Sequence, residues 1–153
     1  MLFTPGQLRQ LLALPQETFR HWKKAIPPLA DRNGYTPCFS PGDLLALALI
    51  KELVDDAGVK VSALAQITPQ LFDVCNRHGW TQLERSVVVL ELSTKKVFVA
   101  GDAAFPRPHS TALVLVCKPA IESLRNRLLA EDDKESQGHL AFPPVSVGTG
   151  RRT

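Results

Sequence analysis

The sequence predicts an α+β fold. Residues 1–79 read as a winged helix-turn-helix, residues 80–131 as a small β-β-β-α unit and residues 132–153 as a flexible tail. Three observations predict this. Thr4-Pro5-Gly6-Gln7 and Ser40-Pro41-Gly42-Asp43 share one helix-start pattern, and each precedes apolar residues at helical spacing. Between them, Asn33-Gly34 marks a tight hairpin, because both residues accept positive φ. From about Gln82 the pattern changes to short β-branched and aromatic runs, Ser86–Ser93, Val97–Ala100 and Thr111–Cys117.

Each element follows from its residues. Thr4 caps a first helix whose Leu8, Leu11 and Leu12 form a stripe that continues to Leu14. Pro15 breaks it and opens a second helical segment, Gln16 to Lys24. There Phe19, Trp22 and Ile26 recur at three and four residues, with Gln16, Thr18, Arg20, His21, Lys23 and Lys24 between them. An aromatic inner face and an outer face of long donors and cations suit a helix that enters the major groove and also touches phosphates. In a helix-turn-helix the first helix braces the second against that groove. An ordinary helical hairpin fits the same residues. After Pro27-Pro28, the hairpin tipped by Arg32, Asn33 and Tyr35 reads as a wing over residues 30–39.

Ser40 opens a helix from Pro41 to about Ala57, apolar over more than half its circumference and therefore a core or interface element. Gly58 is its left-handed cap, and Val59 to Val61 is a short connection before a helix capped by Ser62. Thr68-Pro69 starts another helix, with Leu71, Phe72 and Cys75 inward and Gly79 as its stop, and Trp80 packs over the seam that follows. Thr94-Lys95-Lys96 joins the first two strands as a hairpin, and residues 101–110 form a loop to the third. Pro119 opens a helix to about Ala130, with Ile121, Leu124 and Leu128 on one face. Strands this rich in Val and Leu want both sheet faces covered, one by that helix and the other by a second protomer.

Thr18-Phe19-Arg20-His21-Trp22, Ile26-Pro27-Pro28-Leu29, Asn33-Gly34-Tyr35, Phe39-Ser40 and Asp43-Leu44 together resemble the MerR family of DNA-binding regulators. Gly58 and Val61-Ser62-Ala63-Leu64 continue the resemblance, which covers roughly residues 3–72. Lys23 stands where the family usually has an acidic residue, Ala25 where it has glycine, and Thr36 where an arginine commonly follows the wing tyrosine. The resemblance implies double-stranded DNA as partner, a homodimer, and base or phosphate contacts from Gln16, Thr18, Arg20, His21, Lys23 and Lys24. It also implies backbone contacts from Arg32, Asn33 and Tyr35 in the wing, and a second-wing contact from Lys60. Residues 80–131 depart from the long dimerisation helix common in the family and are expected to carry the dimer contact themselves.

Composition bounds the alternatives. A chain of 153 residues with net charge +3 can bury a real core and permits a nucleic-acid partner without demanding one. Arg9, Arg20, Lys23, Lys24 and Arg32 concentrate positive charge near the start, against Glu17 and Asp31. No apolar run reaches the ~18 residues of a membrane span, and a cytoplasmic location is the expectation. Cys38, Cys75 and Cys117 form no CxxC pair and read as small buried residues, so no metal and no cofactor is expected. No catalytic motif is present, and the nearness of Asp102, His109 and Ser110 in sequence does not make a triad, so no enzyme is expected. Two other readings remain open: an excisionase-like or architectural DNA-binding factor of a mobile element, and a protein-interaction adaptor on a winged-helix scaffold.

Overall fold

A computed structural model describes residues 1–32, 36–101, 107 and 110–140, the last five by their backbone alone. Asn33, Gly34 and Tyr35, where the hairpin tip is expected, lie outside the described residues, as do Asp102 and His109.

Helix α1 (Pro5–Leu12) starts on the capping box its sequence predicts: the Gln7 amide donates to Thr4 Oγ1, and the Thr4 amide donates to Gln7 Oε1. Its end is made by Ala13, not by Pro15. Ala13 sits at φ +52°, and its amide donates to the carbonyls of Arg9 and Gln10. A left-handed residue with a Cβ costs roughly 1 kcal/mol, so this turn is held by its surroundings. Helix α2 (Gln16–Ala25) follows, then a short α3 (Pro27–Ala30) opened by the double proline. Phe3 and Phe39 form an isolated antiparallel bridge that ties the N-terminus to the strand-like residues before α4.

Helix α4 (Pro41–Asp55) is the centre of the molecule. Ser40 and Asp43 form its capping box, and Leu44, Leu45, Leu47, Leu49 and Ile50 have no exposure at all. Gly42 is required where α4 meets α6 (Thr68–Arg77): a Cβ there would stand 2.6 Å from Asn76 Oδ1 and 2.7 Å from the Cys75 carbonyl oxygen. Gly58 takes φ +68°, the left-handed conformation expected just past the helix. Helix α5 (Val61–Leu64) starts after Lys60, whose side chain makes no cap, two residues earlier than a cap at Ser62 would have it. Trp80 opens α7 (Trp80–Leu83), and its indole N–H donates to the Pro41 carbonyl at 3.3 Å, pinning the junction to the start of α4.

Strands β1 (Ser86–Glu91), β2 (Lys96–Gly101) and β3 (Ala112–Val116) form an antiparallel sheet in the order β2-β1-β3. The register places Val88 between Val99 and Leu115, and Leu90 between Val97 and Leu113. These residues join a buried cluster that runs from Phe3 through the helices to Leu124. The other face carries Val87, Val89 and Glu91 on β1, Phe98 and Ala100 on β2, and Val114 and Val116 on β3.

The last helix departs from expectation twice. Helix α8 runs Lys118–Leu140, so residues 132–140 are helical rather than tail. The charged run Glu131-Asp132-Asp133-Lys134-Glu135 reads as a solvated segment, yet such residues propagate a helix that buried neighbours have already nucleated. Moreover, α8 packs chiefly on α4 and α1, while α6 lies against β2 and α7 against β1. Arg127 donates to the Leu11 carbonyl at 2.6 Å, and Gln10 donates to the Glu131 carboxylate at 3.1 Å. The helix expected to cover the sheet thus covers the N-terminal helices.

Candidate nucleic-acid interface

The 3.6-residue turn divides α2 sharply. Phe19 and Trp22 point into the core, Trp22 with only 2% of its surface exposed, and Phe19 meets Phe39 edge to face at 6.4 Å. Gln16, Arg20 and Lys24, spaced by four, form an exposed stripe on the other side, with His21 exposed beside it. Thr18 and Lys23 are half-buried at the two margins. Five of the sequence-derived candidates therefore come from one short helix face and its lysine margin: Gln16, Arg20, His21, Lys23 and Lys24. Arg20 donates to Glu17 at 2.9 Å, but both side chains are largely exposed, so this pair is weak and its guanidinium exchanges readily for a stronger anion.

Two neighbours extend that face. Arg9 of α1 lines a groove together with Pro5, Gln16, Phe19, Arg20 and Lys23. Sequence reasoning counted its charge but assigned it no contact. The available signal was its place one residue off the Leu8, Leu11, Leu12 stripe, on the side that a helix-turn-helix folds toward the second helix. Lys60, exposed at the start of α5, belongs to an element packed beside α2.

Arg32 is placed differently. Its guanidinium is ion-paired with Asp43, donates to the Cys38 carbonyl at 3.3 Å and stands 5.3 Å from the centre of the Phe39 ring. Asp43 also accepts from the Ser40 amide at 3.0 Å and from Asn76 Nδ2 at 2.9 Å. Burial pushes the Asp43 carboxyl upward, but the donors, led by Arg32, outweigh it and hold it below its ordinary value. The result is a knot that fastens both legs of the loop, Arg32 and Cys38–Phe39, onto the N-terminus of α4. Arg32 thereby closes the base of the predicted wing instead of projecting from it.

Burial pushes the Cys117 thiol up to about 11 and Cys75 further still, so both are protonated thiols at neutral pH. Cys38 is half-buried, and among the described residues no cluster of His, Cys, Asp or Glu is arranged to hold a metal ion. Burial, then the nearby Asp56, raises Glu52 in a groove between α4 and α8 that Lys51, Asp55 and Arg127 also line. Among the described residues no helix is long and apolar enough to cross a membrane. Comparison with family models, with curated proteins and with solved structures found no match.

Proposed function

We propose that this chain is a sequence-specific regulator that binds double-stranded DNA as a homodimer, with α2 in the major groove. The observation that carries this reading is the division of α2: two aromatic residues locked in the core, and opposite them an exposed stripe of Gln16, Arg20 and Lys24. The stripe offers one amide suited to adenine, one guanidinium suited to guanine and one lysine suited to phosphate. Thr18, His21 and Lys23 flank the stripe, and Arg9 and Lys60 on adjoining elements extend the cationic margin. The resemblance of residues 3–72 to the MerR family supports the same arrangement, with Asn33 and Tyr35 reaching the backbone from the wing. A single module of this size buries too little surface for tight specific binding, which favours two copies on related half-sites.

Selection of bound fragments from a genomic DNA pool tests the reading. Enrichment of a site with twofold symmetry supports it, and an unenriched pool sinks it. The position of the footprint separates a regulator, which protects a promoter, from an architectural factor, which protects a recombination site. One observation favours an adaptor instead: Arg32 is tied to Asp43, which removes one cation from a chain with net charge of only +3. Salt separates the two, since DNA binding weakens steeply with added salt through counterion release and an adaptor contact does not.

A further inference from the structure

The two edges of the sheet are finished in opposite ways. Along β2 the Val97 amide donates to Gln70 Oε1 at 3.1 Å, and Gln70 Nε2 donates to the Lys95 carbonyl at 2.6 Å. Lys95 in turn reaches Gln66, so α6 and the residues before it close this edge, and Lys95 and Lys96 add charge. Among the described residues strand β3 has none of this. Its residues, Ala112-Leu113-Val114-Leu115-Val116, include no charge and no proline, and its register with β1 is unbroken by a bulge. Its strand neighbour among the described residues is β1 alone, and Val114 and Val116 are 47% and 55% exposed. Soluble proteins blunt such an edge with charge, proline, a bulge or a cover, because unpaired backbone N–H and C=O groups recruit another strand.

We propose that β3 is the homodimer interface: two copies pair their β3 edges antiparallel about a twofold axis and form one continuous six-stranded sheet. The proposal rests on the homodimer reading above and names its surface. The occupant is a second copy because the strand is complementary to itself. With Val114 on the axis, Val114 meets its own copy and Ala112 meets the copy of Val116, with no like charges facing each other. The same operation on β2 is blocked, because Gln70 of α6 already pairs with that edge. Pairing β3 also gives the exposed Val114 and Val116 side chains a partner across the axis, beside Val89, which is already buried on the same face.

Sedimentation of the full chain at tens of micromolar, without DNA, tests this. The parent should run at twice its 16.8 kDa monomer mass. Val114→Lys and Val114→Glu should each run as monomers with unchanged circular dichroism, since Val114 is largely at the surface. An equimolar mixture of the two variants should recover the dimer mass, because lysine then faces glutamate across the axis. A monomeric parent, dimers that persist in both variants, or monomeric variants that fail to reassociate on mixing would each overturn the proposal. Failure of the DNA reading looks different: the parent dimerises, mixing rescues, and no DNA is bound at any salt concentration.

Discussion

Arg20 and Arg32 are both cations of the N-terminal half, and both belong to the surface that sequence assigns to DNA, yet their surroundings differ. On the outer face of α2, Arg20 is paired with the exposed Glu17, and water competes with that pair. At the base of the loop before α4, Arg32 meets Asp43, whose side chain is 4% exposed and already holds two other donors. The difference lies in the carboxylate. Removing Arg20 frees an exposed glutamate that water solvates at once, whereas removing Arg32 leaves charge in a buried site. The first pair is easily exchanged for another partner, and the second is held in place by burial.

The largest expected effect tests the floor under Arg20. Trp22→Ala should destabilise the fold by about 3–5 kcal/mol, because it empties the buried side of α2. Urea unfolding measures it. A variant that melts like the parent but no longer binds DNA would mean that Trp22 faces the nucleic acid and that the two sides of α2 are reversed.

Arg20→Ala should cost about 1–3 kcal/mol in DNA affinity and relax specificity at one base, with stability within roughly 0.5 kcal/mol of the parent. Titration of labelled DNA at several salt concentrations, paired with a melting curve, would expose an unchanged affinity and remove Arg20 from the interface.

Arg32→Ala should do the reverse, costing about 1–2 kcal/mol of stability because a buried carboxylate loses one of its donors. Acid sharpens this contrast. Asp43 has a depressed folded value, so its contribution to stability is present above the unfolded value and is lost as pH falls through the folded one. In Arg32→Ala the leading donor is gone, so the acid loss should begin at a higher pH than in the parent, while Arg20→Ala should leave the profile unmoved. Urea midpoints from neutral to acidic pH distinguish these outcomes.

The smallest effect concerns the turn that aims α2. Ala13→Gly should stabilise by roughly 0.5–1 kcal/mol, since glycine adopts the left-handed conformation at lower cost, less its greater loss of chain entropy. A destabilised Ala13→Gly would show that the Ala13 methyl group does more for the fold than its backbone strain costs.

Much of the scaffold was legible in the residues because the signals are local. Thr4 and Ser40 cap the helices they were expected to cap, and Phe19 and Trp22 are buried where their spacing places them. The three strands fall inside or within a residue of the runs that predicted them. The α+β class follows from that change of periodicity near Gln82, since a period of 2 and a period of 3.6 bury different residues.

What local pattern does not hold is which surfaces meet. Nothing in the Glu131–Glu135 run says that α8 continues to Leu140, because its first turns are stabilised by α1 and α4, remote in sequence. Arg9 and Arg32 look alike in a sequence, and only folding brings one to the groove beside α2 and the other onto Asp43. Strand β3 reads as any apolar strand until the order β2-β1-β3 leaves it on an edge, with no second strand neighbour among the described residues. Sequence by itself placed α1, α2, α4, α6 and the three strands to within a residue or two, because backbone propensity and apolar period act over a few residues. Tertiary structure decided which arginine is spent and which strand stands at which edge, because burial and pairing depend on groups that the chain brings together from far apart.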